Sequence, residues 1–142
     1  MRIYIAAPLF NDSEKERNVR LRDALREWGH DTYLPQEDGD IAFTLIAKGG
    51  NPGTVRKQIF NHDLKEIKGC DILLCVIDGR VPDEGACVEL GMAYALGKRC
   101  IGYKTDSRAL DRYGDNLMID GCLESVVKDM KRLKQAMARA SK

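Results

Sequence analysis

Apolar runs alternate along the chain with segments that have one apolar and one polar face. The run at 71–77 is almost uniformly apolar, as is typical of a central parallel strand covered on both faces. Shorter apolar runs predict strands at 2–7, 32–34 and 100–103, and 116–119 is a candidate fifth strand. This alternation predicts a sheet of parallel strands with helices on both of its faces.

Four helices are predicted from apolar residues that recur every three or four positions. They cover residues 13–28, 54–67, 85–96 and 123–138. Ser13 and Glu16 match a capping box at the start of the first helix, and Gly29 is well placed to end it. Thr54 is the expected N-cap of the second helix.

Residues 36–53 interrupt the regular pattern, because they carry four glycines and one proline. A short helix is expected inside this segment, at about Ile41–Lys48. A connection of this length in a compact domain is usually a functional flap or a mobile segment.

The expected fold is a single α/β domain over residues 1–142, a flavodoxin-like (Rossmann-like) three-layer sandwich. Its parallel sheet should have about five strands in the order 2-1-3-4-5. In such sheets ligands bind beyond the carboxyl ends of the strands, where the strand order reverses. Here that point lies between the first and third strands, at the loops Ala7–Asp12 and Asp78–Glu84.

Composition and charge exclude several classes of function. With 23 Lys and Arg against 22 Asp and Glu, the net charge is +1, which argues against a partner that is a nucleic acid polymer. No apolar stretch is long enough to span a bilayer, and the run at 2–7 is too short for a signal peptide. The five cysteines form no CxxC pair and indicate free thiols in a reducing, cytoplasmic setting. The two histidines lack a metal-binding spacing.

Glu89 breaks the pattern of its helix, which is apolar nearly all round and is therefore expected to be buried. A buried ionised carboxylate costs several kcal/mol unless it is paired or hydrogen-bonded. One interpretation is that Glu89 pairs with a core cation or caps a backbone group. The other is a reactive group: Asp83 and Gly85 lie just before it at the predicted crevice, and Gly85 allows a ligand to approach. Tyr4 on the first strand could donate its hydroxyl to Glu89.

A carboxylate held in this way suits displacement at the anomeric carbon of a sugar. The transition state is oxocarbenium-like, and the carboxylate can form a covalent glycosyl intermediate. A second acid must protonate the leaving group, which in a nucleoside is the nucleobase. Asp63 and Gln36 are the candidates for contacting that base.

Four segments resemble nucleoside 2-deoxyribosyltransferases, and the resemblance covers about residues 2–104. Ile3–Phe10 resembles the opening strand of that family, tyrosine included, and Tyr33–Gln36 resembles its second strand. Asn61–Ile67 is similar to its N-x-D-L-x-x-I helix. Pro82–Gly91 is similar to its P-D-x-G-x-x-x-E-x-G segment, the most specific of the four.

The resemblance implies a role for each candidate residue. Glu89 would attack C1′ and form a deoxyribosyl-enzyme, and Tyr4 would orient it. Asp63, with Gln36, would hold the departing base and protonate it. Asp83 would bind the hydroxyl end of the sugar. No metal or organic cofactor is expected.

The resemblance also implies a homo-oligomer, a dimer or higher, in which a neighbouring subunit completes the sugar site. The segment at 115–118 resembles the one that supplies an asparagine, which makes Asn116 the candidate. The expected partners are small molecules, namely nucleosides and free nucleobases.

Three alternatives stay open at this point. A related N-glycosidase would use the same glutamate and let water resolve the intermediate. Hydrolases of 5′-monophosphates tend to carry serine where Asp83 stands, so unphosphorylated nucleosides are favoured. A non-enzymatic nucleotide-sensing module and a metal site around Asp78, Asp83 and Glu84 are the other two.

Overall fold

The computed structural model describes residues 1–39, 42–79, 81–110, 112 and 114–140; of residues 42 and 43 it describes only the backbone. Five strands form one sheet within these residues, and every neighbouring pair is parallel. They are β1 (Arg2–Ala6), β2 (Asp31–Tyr33), β3 (Ile72–Val76), β4 (Arg99–Tyr103) and β5 (Ser125–Val127). Their order is β2-β1-β3-β4-β5, which confirms the predicted flavodoxin-like sheet.

Helices pack on both faces of this sheet. They are α1 (Asp12–Glu27), α2 (Pro35–Asp38), α3 (Ala42–Ala47), α4 (Pro52–Gly69), α5 (Glu84–Ala95), α6 (Leu117–Asp120) and α7 (Met130–Ala140). In the described part of the chain, no helix has the length and apolar character needed to cross a membrane.

Two apolar layers cover the two faces of the sheet. Successive residues of a strand point to opposite faces, so Ile3 and Ile5 enter one layer while Tyr4 enters the other. The first layer is closed by α1 and α7, and the second by α4 and α5. All five residues of β3 are buried, as expected for a strand covered on both sides. Tyr4 is therefore directed towards the α4 and α5 side.

The helix starts differ from the predicted ones. The capping box of α1 is formed by Asn11 and Glu14, because the chain is still extended at Asn11 and Ser13 already lies in the first turn. The predicted Ser13–Glu16 box is therefore wrong, although its spacing is the same. Asn51, not Thr54, caps α4: its Oδ1 accepts a hydrogen bond from the Thr54 backbone N–H at 3.1 Å. The proline after it occupies the first turn, where a missing N–H costs nothing.

The C-terminal elements also differ. Residues 116–119 were predicted as the fifth strand, but they belong to the short helix α6: Asn116 is its N-cap, and residues 117–119 lie in the helix. The fifth strand is Ser125–Val127, inside the range predicted for the last helix, and α7 begins only at Met130. Pairing with the exposed edge of β4 decides the outcome, since Gly102 and Val126 lie opposite each other in the parallel ladder.

The segment 36–53 is more regular than expected. It contains α2 from its second residue onward and all of α3, and it ends in the first residues of α4. The short helix predicted at Ile41–Lys48 is present as Ala42–Ala47, and Ile41 lies outside the described residues.

Helix α5 is not buried all round, contrary to the prediction. Ala86, Leu90 and Ala93 are buried against the sheet, whereas Val88 and Tyr94 are both 56% exposed. The helix lies in an outer layer, so only one of its faces can reach the core. Its composition is apolar on both faces, which is why periodicity did not reveal the exposed one.

Candidate active site

Two adjoining cavities open beside Glu89 on the α4 and α5 side of the sheet. One, of about 170 Å³, lies beyond the carboxyl end of β1; the other, of about 320 Å³, runs between α4 and α5. Asp63, Gly85 and Glu89 line both cavities, and Asp83 lines the smaller one. The fold thus brings four of the predicted site residues together where ligands of such sheets bind.

Tyr4 holds the carboxylate of Glu89. The Tyr4 Oη donates a hydrogen bond of 2.7 Å to Glu89 Oε1, across 85 positions of sequence. Tyr4 is fully buried in β1, so its ring has no freedom to move away. Within the described residues, no lysine, arginine or histidine forms an ion pair with Glu89. The interpretation of Glu89 as one half of a core ion pair is therefore not supported.

The surroundings of Glu89 raise its pKa. Together they raise the pKa of the Glu89 carboxyl from 4.5 to about 7. Burial is the largest cause of the rise; the hydrogen bond from Tyr4 lowers the pKa, and the charges of Asp63 and Asp83 raise it. Burial and the nearby carboxylates raise the pKa of the Tyr4 hydroxyl, so Tyr4 keeps its proton and stays the donor. Near neutral pH the Glu89 carboxyl is thus partly ionised and partly protonated.

Tyr33 holds the carboxyl of Asp63. The Tyr33 Oη donates to Asp63 Oδ1 at 3.0 Å, and the Tyr33 ring stacks on Tyr4 with a centroid separation of 5.2 Å. Burial raises the pKa of the Asp63 carboxyl, while the hydrogen bond from Tyr33 lowers it. The sequence reasoning missed Tyr33. Its place beside Tyr4 follows from the parallel pairing of β1 and β2, a register that the sequence alone does not give.

Asp83 and Gly85 form the start of α5 at the cavity. Asp83 is the N-cap: its Oδ2 accepts a hydrogen bond from the Ala86 backbone N–H at 2.8 Å. A Cβ at position 85 would lie 3.1 Å from that same oxygen, closer than ordinary contact, so glycine keeps the cap and the cavity open. One carboxylate oxygen of Asp83 thus has a structural role.

The remaining two candidates are not placed against Glu89. Gln36 is turned towards α1: its Oε1 accepts from Asn18 Nδ2 at 2.9 Å and its Nε2 donates to the Lys15 carbonyl at 3.2 Å. The buried Asn18 also donates to the Pro8 carbonyl at 2.8 Å, so it ties the loop after β1 to Gln36. Asn116 is exposed and caps α6. The roles of Gln36 and Asn116 stay predictions.

No metal site competes with this arrangement in the described part of the chain, where no three His, Cys, Asp or Glu groups could hold an ion. Asp78 binds Thr105 on the opposite side of the sheet, away from Asp83. The site offers a tyrosine-held carboxylate and a second carboxyl with a raised pKa. Two such groups beside one cavity have the chemistry that nucleophilic attack with acid assistance requires.

Comparison with known proteins identifies the family of this chain. The family model described as nucleoside 2-deoxyribosyltransferase matches residues 3–137. A nucleoside deoxyribosyltransferase of Limosilactobacillus fermentum is 27% identical, over 83% of this chain and 73% of its own. The structure of the 2-deoxyribosyltransferase of Bacillus psychrosaccharolyticus is similar with a TM-score of 0.79 and 28% identity, covering 94% and 90% of the two chains. The CMP N-glycosidase of Clostridium botulinum, at 20% identity, TM-score 0.60 and coverage of 97% and 99%, shares the fold. The chain belongs to the nucleoside 2-deoxyribosyltransferase family and is an enzyme of this type.

Proposed function

We propose that the enzyme transfers a 2-deoxyribosyl group from one nucleobase to another through a covalent deoxyribosyl-Glu89 intermediate. The observation that carries the proposal is the hydrogen bond from Tyr4 to Glu89 beside an open cavity. This hydrogen bond holds Oε1 of Glu89 and leaves Oε2 for bond formation. Among the described residues no cation neutralises this carboxylate, so its charge remains available for an oxocarbenium-like transition state.

In the first half-reaction Glu89 Oε2 attacks C1′ of the nucleoside. The bond from C1′ to the base nitrogen breaks, and its electron pair leaves with the base. Asp63 gives its proton to that base, which becomes a neutral leaving group. Burial supports this role, because it raises the pKa of Asp63 and so retains the proton to higher pH.

In the second half-reaction the incoming base attacks C1′ of the glycosyl-enzyme. It loses a proton to Asp63, and Glu89 leaves as a carboxylate. Each displacement inverts the anomeric carbon, so the product keeps the configuration of the substrate. The groups that react with the substrate are Glu89 and Asp63, and we propose no cofactor.

Asp83 supports a substrate without a phosphate. Its Oδ2 caps α5, which leaves Oδ1 to accept a hydrogen bond from a sugar hydroxyl in the smaller cavity. A phosphate beside Asp83 and Glu89 would be repelled by two carboxylates. We therefore propose free nucleosides and nucleobases, rather than nucleotides or nucleic acid polymers, as the substrates.

We propose that the enzyme works as a homo-oligomer. Leu117 and Met118, next to Asn116, are 77% and 72% exposed, and Phe10 at the rim of the smaller cavity is 75% exposed. Large apolar side chains so exposed fit a subunit contact that would bring Asn116 to a neighbouring cavity. Mixing Glu89→Ala with Asn116→Ala subunits should restore activity in shared sites, whereas mixing Glu89→Ala with Asp63→Asn should not. Equal inactivity of both mixtures would contradict the shared site.

The cysteines bear on where the enzyme works. All five are free thiols, and Cys70, Cys75 and Cys100 are buried. Free thiols persist in reducing compartments. We therefore propose a cytoplasmic location, which cell fractionation would test.

Base exchange tests the proposed reaction directly. The protein is mixed with a 2′-deoxynucleoside and a different free base, and the products are separated by chromatography. The exchanged nucleoside is expected, and free deoxyribose alone would assign hydrolysis instead. Glu89→Ala should lose at least ~10³-fold in turnover, as removal of a covalent nucleophile does. Glu27→Ala, an exposed glutamate on α1, is the matched control and should keep the wild-type rate.

A further inference from the structure

A separate cavity of about 450 Å³ lies on the opposite face of the sheet from Glu89. It is bounded by α1, by the carboxyl ends of β3 and β4, and by the start of α7. Its polar lining is Ser13, Arg17, Arg20, Asp78 and Thr105. It shares no lining residue with the two cavities beside Glu89.

Arg17, which lines this cavity, has a hydrogen-bonding edge without a partner. Its Nη1 lies 3.5 Å from Asp78 Oδ2, while its Nε and Nη2 are buried and have no partner among the described residues. Nε and Nη2 form the edge of a guanidinium that binds an oxyanion with two parallel hydrogen bonds. Arg99 shows the filled arrangement in the same protein, with Nε at 2.8 Å and Nη2 at 2.7 Å from the two oxygens of Glu124.

Asp78 does not bind the Nε and Nη2 groups of Arg17. Its carboxylate accepts hydrogen bonds from the Thr105 backbone N–H at 2.5 Å, from Thr105 Oγ1 at 3.0 Å and from the Asp106 N–H at 3.3 Å. These contacts hold it against the loop after β4. Its distance of 3.5 Å to Arg17 is at the limit of a hydrogen bond.

Arg20 adds a second positive charge one turn further along α1. Its side chain is 67% exposed, and its ion pair with Glu16 is loose, at 3.8 Å. An exposed pair at this distance contributes little, so Arg20 is free to turn to another anion. The cavity thus holds two guanidinium groups against one carboxylate that is already engaged.

We propose that this cavity binds the phosphate group of a small phosphorylated molecule. Two phosphate oxygens would accept hydrogen bonds from Nε and Nη2 of Arg17, and a third would accept from Arg20. Arg17 lines the cavity and keeps 20% of its side chain exposed, while its Nε and Nη2 are buried, so binding requires the guanidinium to turn towards the ligand. Leu21, Tyr103 and Met130 provide an apolar wall for the rest of the molecule.

Titration calorimetry with inorganic phosphate and with pyrophosphate tests this site without measuring activity. Saturable binding to one site per chain is expected for at least one of the two probes. Arg17→Met should weaken it at least ~10-fold, and Arg17→Lys should also weaken it because lysine lacks the two-pronged edge. Arg56→Met removes an exposed arginine of α4 as the matched control and should bind like the wild type.

Variants of Arg20 and Glu89 complete the test of phosphate binding. Arg20→Met changes a mostly exposed side chain and should weaken binding even if Arg17→Met does not fold. Glu89→Ala should leave binding unchanged, which separates this site from the proposed catalytic one. The proposal is overturned if neither probe saturates, if the Arg17 and Arg20 variants bind like the wild type, or if binding depends on Glu89.

Discussion

Replacing Tyr4 by phenylalanine removes one hydroxyl from the site and keeps the buried ring. The Tyr4 hydrogen bond lowers the pKa of Glu89, so its loss should raise that pKa above about 7. A hydrogen bond to a charged group contributes ~1.5–3 kcal/mol, and a pKa unit corresponds to about 1.4 kcal/mol. The pKa of Glu89 in the variant should therefore lie about 1–2 units higher.

The consequence for the rate follows from the need for an ionised nucleophile. At about pH 7 half of the wild-type Glu89 is ionised, whereas in the variant about a tenth to a hundredth is. The kcat/KM of Tyr4→Phe should be lower about 5- to 50-fold at that pH, and its ratio to the wild type should approach one at about pH 9.5. The charges of Asp63 and Glu89 interact, so the two profiles are compared through the apparent pKa values of the pair.

The assay is the pH profile of kcat/KM for base exchange, measured on both proteins. Tyr94→Phe, which changes an exposed tyrosine on α5, is the control and should follow the wild-type profile. A ratio that stays equally low at every pH would refute the reasoning, because the hydroxyl would then act by something other than the ionisation of Glu89.

Three further predictions concern stability and the second acid. Glu89→Gln should stabilise the fold above about pH 7 by at most about 3 kcal/mol and leave its stability unchanged near pH 4. The reason is that ionisation of the buried Glu89 carboxyl disfavours folding of the wild type as pH rises from 4.5 to about 7. Urea unfolding of both proteins at the two pH values checks this. Tyr33→Phe removes a hydrogen bond that lowers the pKa of Asp63, so the alkaline limb of the kcat/KM profile should move to higher pH. An unmoved limb would show that Tyr33 does not set the pKa of the catalytic acid. Asn51→Ala should cost about 1 kcal/mol of unfolding free energy, while Thr54→Ala should cost less, and equal losses would contradict the assigned cap.

The sheet and its order could be predicted because the central strand and the segments around it carry unambiguous patterns. Residues 72–77 are apolar throughout, as is typical of a parallel strand covered on both faces. The C-terminal part was predicted wrongly because its apolar runs are short. A run such as 125–127 fits a helix stripe or an edge strand equally well, and pairing with β4 decides between them.

The residues of the proposed site were predictable to different degrees. Glu89 stands out in the sequence because it is acidic among apolar neighbours, and the structure brings Tyr4 to it as expected. Tyr33 was missed because its contact with Asp63 depends on how β2 pairs with β1. The orientation of Gln36 towards Asn18 depends on side-chain packing, which periodicity does not encode.

Isolation of the glycosyl-enzyme tests the central claim most directly. The protein is incubated with a 2′-deoxynucleoside and no second base, quenched with acid, digested and analysed by mass spectrometry. The account predicts one deoxyribosyl group, attached to Glu89 in the peptide that contains α5. Attachment to another residue, or base exchange by Glu89→Ala at the wild-type rate, would contradict it.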